Sequence, residues 1–295
     1  MKTAVTGATG FVGRHLVDRL AGAGHEVTAL VHRRSAAGMF EDAVTTAVGS
    51  VEEPGSLQDA FRGIQVVYHL VGIIAETRTK TFRSTVVGGT ENVCAACEAS
   101  GVKRIVYLSA MGTTSRARSK YHRSKYRAEQ IVKSSSMDYL IVRSSIVYGP
   151  GDGFVSMLSN MIRNFPVVPV LGSGRYEFQP IFIDDLTAVL LRGLEGSESS
   201  RQTVDVGGPE ALSYQKILDA IEGAVGRERP RLHIPFSLVK PMAGVLEMFL
   251  KPAPLTRDQI VMMRSGNTGD ITRMQEIFGV KPISLVEGLG KYMRD

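Results

Sequence analysis

The chain has 295 residues, 43% hydrophobic, 22% charged and 7% aromatic, with 35 Lys and Arg against 29 Asp and Glu. These proportions exclude a disordered, collagen-like or disulfide-scaffold protein, and the length suffices for one large α/β domain or two smaller ones. The net charge of +6 leaves acidic partners open, and 31 glycines point to tight turns near a ligand.

In chain order, residues 1–5 read as a short apolar strand, followed by Thr6-Gly7-Ala8-Thr9-Gly10-Phe11-Val12-Gly13. A helix then carries Phe11, Val12, Leu16, Val17 and Leu20 at helical spacing, and Gly24 closes it. Residues 26–31 form a β-rich run and 66–71 a second apolar one. A helix over 89–100 ends at Gly101 and feeds a strand over 104–109, and a helix over 121–133 precedes a strand over 139–142. Short apolar strands separated by helices predict βαβ units and a parallel sheet covered on both faces.

After residue 150 the pattern loosens. Helices are expected over 154–164 and 184–194, with a loop over 166–179 between them. Helical segments broken at Pro230, Pro235, Pro241, Pro252 and Pro254 predict a small, mostly helical C-terminal portion. Residues 1–150 are expected to form one sheet domain, and 151–295 a mixed segment that partly completes the sheet and partly forms a substrate-side or lid element.

Cys94 and Cys97 are spaced CxxC, but they lie in an Ala-rich helical stretch without the glycine or proline of a redox turn. They read as small buried residues on one helix face in a reducing compartment, and no metal site is expected. No targeting segment is expected, since the loop already begins at Thr6. The most apolar stretch, Phe236 to Leu250, contains Lys240, Pro241 and Glu247, so no transmembrane segment is expected and the location reads as cytoplasmic.

Gly7, Gly10 and Gly13 sit between the first strand and the first helix. In such a loop the first glycine permits a sharp turn, the second lets backbone approach a diphosphate, and the third allows close helix–strand packing. The helix N-terminus then offers free N–H groups to the anion. The second strand ends in Val31-His32-Arg33-Arg34 with no acid. A carboxylate there would hydrogen-bond ribose hydroxyls and repel a 2′-phosphate, whereas guanidinium groups bind that phosphate, so NADP(H) is expected over NAD(H).

Tyr121 and Lys125 are four residues apart, on one helix face. An ammonium beside a phenol favours phenolate, which predicts a Tyr121 pKa lowered from about 10 and able to exchange a proton with a substrate hydroxyl or carbonyl.

Five motifs occur in order: Gly7-Ala-Thr-Gly-Phe-Val-Gly13, Gly89-Thr90, Arg104-Ile-Val-Tyr-Leu-Ser109, Tyr121-xxx-Lys125 and Arg143-Ser-Ser-Ile-Val-Tyr-Gly-Pro150. Together they resemble the extended and atypical short-chain dehydrogenase/reductases, the NAD-dependent epimerase/dehydratase superfamily. The likeness continues through Gln179-Pro-Ile-Phe-Ile-Asp-Asp185, Val206-Gly-Gly-Pro209 and Pro254-Leu-Thr-Arg-Asp-Gln259, covering nearly the whole chain. His69-Leu-Val-Gly72 and Pro254 to Gln259 resemble most the atypical branch related to the 39 kDa NADPH-binding subunit of respiratory complex I.

The resemblance implies a Rossmann-type doubly wound parallel sheet. It implies that Gly7, Ala8, Thr9, Gly10, Phe11, Val12 and Gly13 hold the pyrophosphate. Leu70, Val71 and Gly72 would line the adenosine ribose side, Ser50 and Val51 the adenine, Tyr121 and Lys125 the nicotinamide ribose, and Ser145 and Ile146 the nicotinamide. The chain also departs from the family. Ser50 stands in the stretch where the family places an acid, Ala110 at the usual catalytic Ser/Thr, and Val86 at the usual Asn. Tyr121 follows Ser109 by only 12 positions. Ser109, Thr113, Thr114 and Ser119 remain as hydroxyls that could assist Tyr121.

Two readings follow. The first is an NADP(H)-dependent oxidoreductase or epimerase acting on a carbonyl or hydroxyl substrate, with Tyr121 as acid/base, Lys125 on the ribose and Ser109 orienting the substrate. The second is a non-catalytic NADPH-binding protein with a structural, sensing or respiratory-complex-assembly role. Nucleic-acid binding is not expected, because no stacking motif accompanies the basic residues.

The stretch 115–127 contains Arg116, Arg118, Lys120, Arg123, Lys125 and Arg127 and no acid. Apart from these six, basic and acidic residues balance at 29 each. Arg78, Lys80 and Arg83 follow on the same expected sheet edge, so a positive rim is expected around the site, suited to an anionic cofactor and substrate. The segment 233–255 mixes apolar residues with lysines, and reads as a lid or packing element, with a peripheral membrane contact as the sharper alternative.

Overall fold

The computed structural model describes residues 1–33, 38–41, 43–194, 196–250 and 253–293. Arg34, one of the expected 2′-phosphate ligands, lies outside the described residues. Strands and helices alternate from the N-terminus: β1 (Lys2–Thr6), α1 (Phe11–Gly22), β2 (Glu26–Val31), β3 (Val44–Val48), α2 (Pro54–Ala60), β4 (Val66–His69), α3 (Gly89–Ala99), β5 (Arg104–Ala110), α4 (Lys120–Ser134) and β6 (Asp138–Ser144). The hydrophobic pattern does not announce β3, because this strand buries only Val44.

The second half continues with β7 (Val147–Tyr148), α5 (Phe154–Asn164), β8 (Val168–Leu171), β9 (Glu177–Phe178), β10 (Ile181–Phe182), α6 (Ile183–Arg192) and β11 (Gln202–Val206). It ends with β12 (Leu212–Ser213), α7 (Tyr214–Val225), β13 (Arg231–Ile234), α8 (Phe236–Phe249), α9 (Arg257–Ser265), α10 (Thr272–Phe278) and α11 (Leu285–Gly290).

Seven strands form one parallel sheet in the order β11-β6-β5-β4-β1-β2-β3. This is the expected doubly wound, Rossmann-like α/β architecture. β1 lies between β2 and β4, so the chain winds outward from it in both directions. The crevice at the carboxyl ends of β1 and β4 is therefore the switch point, where such sheets bind ligands.

Strand residues alternate between two cores. Val5, Tyr68 and Val106 meet Leu16, Leu20, Leu186, Leu190 and Phe278 on the face covered by α1, α6 and α10. Ala4, Val67, Ile105 and Tyr107 meet Phe61, Val93, Cys97, Ala128 and Val132 on the face covered by α2, α3 and α4. Each large apolar side chain so buried contributes about 1.5–3 kcal/mol. Burial pushes the Cys94 thiol up to about 12 and the Cys97 thiol up as well, which suits inert core residues rather than a redox pair.

One element was not legible. A π-helical segment, Phe82–Gly88, runs directly into α3, opened by a capping box between Thr81 and Ser84. It buries Phe82, Thr85, Val86 and Val87, so Val86 serves the core at the position matching the family's asparagine.

The C-terminal elements build a third core, in which Tyr148, Leu158, Ile162, Ile183, Ile217 and Leu289 join α5, α7 and α11. Pro241 lies inside α8 rather than ending it. No helix among the described residues is long and apolar enough to cross a membrane.

Candidate active site

The glycine loop sits at the carboxyl end of β1. Gly7 adopts φ +76°, and a Cβ there would lie 3.2 Å from the Val71 N and 3.3 Å from the Leu70 C. The β1 and β4 ends therefore meet backbone to backbone. A Cβ on Gly13 would collide with the Gly7 carbonyl and stand 2.8 Å from the Ala8 Cα, so α1 packs against the loop only through glycine. Gly10 is the N-cap of α1, with no side-chain cap and no acid in the first turn. That leaves the positive end of the helix unopposed for an anion. Ala8 is fully buried, Thr9, Phe11 and Val12 are partly exposed, and the cradle fits a dinucleotide diphosphate.

On one flank, β2 delivers His32 and Arg33 to the surface. Burial pushes the His32 pKa down, with Lys80 adding to the effect. Ser50 and Val51 follow β3. The Ser50 carbonyl accepts from the Ser56 hydroxyl at 3.2 Å, and Val51 is buried beneath Gly89. Glu52, which the sequence did not single out, accepts from the Thr85 hydroxyl at 2.6 Å and so ties this loop to the π-helical segment.

On the other flank, β4 ends in His69, a fully buried side chain bonded to the Thr6 hydroxyl at 2.7 Å and the Thr90 hydroxyl at 3.1 Å. Burial, reinforced by Lys125, pushes its pKa down to about 3, so the imidazole is neutral. Leu70, Val71 and Gly72 continue from there. A Cβ on Gly72 would stand 3.1 Å from the Lys125 Nζ, so the structure brings the β4 end and the lysine together. Lys125 donates to the Leu108 carbonyl at 2.9 Å and lies 4.8 Å from the centre of the Tyr107 ring.

Tyr121 occupies the first turn of α4, its ring 6.0 Å from that of Phe82 and 5.2 Å from that of His122. Its hydroxyl makes no hydrogen bond with the described residues. The expected depression of its pKa is reversed: burial pushes the phenol up to about 12. The physical reason is that desolvation disfavours both charges, and Lys125 itself is pushed down to about 8, opposed by Glu129.

The start of α4 is held from far along the chain. Asp258, at the start of α9, accepts from the Lys120 N–H at 2.7 Å and the Tyr121 N–H at 3.0 Å, while Ser119 caps the helix. Asp258 belongs to the Pro254–Gln259 segment and was not foreseen as part of the site. Beside it opens a cavity of about 680 Å³ lined by Phe82, Lys120, Arg78, Arg118, Arg123 and Arg257, among others. Of the anticipated positive rim, Arg78, Arg118, Lys120 and Arg123 line this cavity, together with the acids Glu76, Glu247 and Asp258.

Other expected residues are placed differently. Ser109 is buried and donates to Glu129 at 2.6 Å, and Arg143 closes on both oxygens of that fully buried carboxylate, at 2.8 and 2.6 Å. That commits the Ser109 hydroxyl to a structural network instead of a substrate. Ala110 supplies no replacement. Of the loop hydroxyls, Ser119 caps α4, Thr114 is exposed, and Thr113 is buried with its oxygen unpartnered among the described residues. The Ser145 hydroxyl donates to the Asn267 carbonyl at 3.1 Å, and Ile146 packs against the C-terminal core.

Comparison with known proteins agrees with this construction. Residues 3–207 match the NAD dependent epimerase/dehydratase family. The chain is 28% identical over 268 residues to the NADH dehydrogenase [ubiquinone] 1 alpha subcomplex subunit 9, mitochondrial, of Arabidopsis thaliana, covering 87% of this chain and 66% of that protein, just under two thirds of its length. It is 28% identical over 315 residues to Sterol demethylase protein B of Methylococcus capsulatus, covering 96% of this chain and 94% of that one. A UDP-glucose 4-epimerase from Thermotoga maritima, solved with UDP-glucose, shares the fold with a TM-score of 0.79 at 20% identity, covering 99% of this chain and 97% of that one. The glycine cradle at the switch point and the match over more than half the sequence lead to one conclusion: the chain belongs to the NAD dependent epimerase/dehydratase family.

Proposed function

We propose that the protein is an NADP(H)-dependent oxidoreductase or epimerase-like enzyme that acts on a carbonyl or hydroxyl group through Tyr121 and Lys125. The observation that carries this reading is Lys125, held against Gly72 at the edge of the switch crevice one helical turn from an unengaged Tyr121 hydroxyl. A dinucleotide bound there would supply or accept the hydride. Gly7 to Gly13 would hold its diphosphate on the α1 N-terminus, Arg33 would meet the 2′-phosphate, and the Lys125 ammonium would donate to ribose hydroxyls. Tyr121 moves the proton at the substrate oxygen. A phenol pushed up to about 12 is protonated at neutral pH, so Tyr121 enters the reaction as the acid, giving its proton to the oxygen of a carbonyl being reduced. The cationic cavity beside it suits a substrate bearing a phosphate or carboxylate.

Calorimetric titration with NADPH and NADH tests the cofactor half. Arg33→Ala is expected to weaken NADPH binding by roughly tenfold and leave NADH unchanged. Equal affinity of the unaltered protein for both dinucleotides overturns the preference.

A second reading, a non-catalytic NADPH-binding protein, is favoured by one observation: the Ser109 hydroxyl is consumed by Glu129, and Ala110 offers none. The complex I subunit among its relatives fits such a role. Turnover on an aldehyde, ketone, quinone and sugar-nucleotide panel separates the two.

A further inference from the structure

Helix α8 is apolar on both sides. Its inner face, Val239 and Ala243, packs on Ile260 with Leu171, Ile234, Phe236 and Leu255 around them. Its outer face presents Leu238, Met242, Val245, Met248 and Phe249, a helical stripe whose last two members are 74% and 71% exposed. Leu250 continues the stripe and also lines the cationic cavity, so apolar surface and cations are contiguous. A patch of this kind marks an interaction surface.

The charges identify its occupant. Each acid that lines the cavity is engaged: Glu247 by Arg257, Asp258 by the α4 amides, and Glu76 by the Phe82 N–H. Arg78, Arg118 and Lys120 form no ion pair with the described residues. A second copy of the chain docked on this face across a two-fold axis would bring the same cations together. A surface of anionic headgroups over acyl chains complements both features at once.

We propose that α8 docks the protein on an anionic lipid bilayer, its outer stripe entering the interface and Arg78, Arg118 and Lys120 meeting headgroup phosphates. This docking goes beyond the proposed activity, although Arg78, Arg118 and Lys120 also line the cavity beside Tyr121. The test is cosedimentation of the full chain with phosphatidylcholine vesicles, with and without phosphatidylglycerol. The unaltered protein is expected to sediment with the anionic vesicles and to be released by high salt. The double variant Met248→Glu, Phe249→Glu is expected to lose roughly tenfold or more of that partitioning, and Arg78→Ala or Arg118→Ala roughly fivefold each. Circular dichroism and thermal melting verify that the variants are folded. Protein that stays in solution with every vesicle, or binds both compositions equally, overturns the proposal. So does a dimer in sedimentation velocity that Phe249→Glu dissociates, because the stripe would then be covered by a second copy.

Discussion

The Asp258 carboxylate and the Tyr121 backbone, 137 residues apart in sequence, meet in one hydrogen bond of 3.0 Å. A carboxylate at a helix start satisfies amides that have no partner within the helix, and it opposes the positive helix end. Asp258→Ala is therefore expected to lower stability by about 1–2 kcal/mol and to reduce kcat by loosening the turn that carries Tyr121. Asp258→Asn, which still accepts one bond, should restore most of the melting temperature. Calorimetric melting of both variants checks this. An unchanged melting temperature for the alanine variant contradicts it.

Gly13 has no room for a side chain, because its neighbours are the Gly7 carbonyl and Ala8 backbone rather than flexible atoms. Gly13→Ala is expected to cost about 1–3 kcal/mol and to weaken dinucleotide binding, since relief of the clash must move the loop. Denaturant unfolding together with a fluorescence titration of NADPH measures both effects. Unaltered NADPH affinity would show that the loop does not form the phosphate cradle.

The Ser109–Glu129–Arg143 network predicts a separation of stability from turnover. Glu129→Ala leaves Arg143 unpaired beside the core and should destabilise by about 3–5 kcal/mol. Ser109→Ala removes one bond to a charged acceptor, about 1.5–3 kcal/mol, and should leave kcat within about twofold. A Ser109→Ala variant with intact stability and kcat reduced by roughly a hundredfold would return the hydroxyl to the reaction.

Lys125 should leave a signature in pH-dependent stability. In the folded protein without dinucleotide its pKa is pushed down to about 8 by burial, against 10.5 for an unperturbed lysine. Between those values the unfolded chain binds the extra proton, so this group's contribution to stability rises with pH across the window. It is fully present above about 10.5 and lost as pH falls through about 8. Lys125→Met should remove that rise. Melting temperatures between pH ~7.5 and ~10 read it out, and an equally steep rise in the variant contradicts the assignment.

What could be read from sequence follows the range of the interactions involved. The glycine loop was legible because its demand is local: Gly7 and Gly13 touch each other and the first helix. That Tyr121 and Lys125 share one helix was legible from their spacing, but the sign of the phenol's shift was not, because burial is set by Phe82 and neighbouring elements. Strand parity held an unused signal for Ser109. Ile105, Tyr107 and Ser109 alternate onto the face that α3 and α4 cover, so the hydroxyl meets Glu129. Asp258 could not be placed from sequence, since nothing local links α9 to α4. The π-helical segment escaped because it carries neither helical periodicity nor strand alternation.

Proton transfer by Tyr121 at a bound NADP(H) is tested by single-turnover NADPH oxidation with a carbonyl panel. The unaltered protein should oxidise NADPH in the presence of a reducible substrate. Tyr121→Phe should slow that step by roughly 10²–10⁴-fold while binding NADPH within about threefold of the original affinity. Absence of turnover in both proteins while NADPH still binds, or equal turnover in both, would contradict the claim.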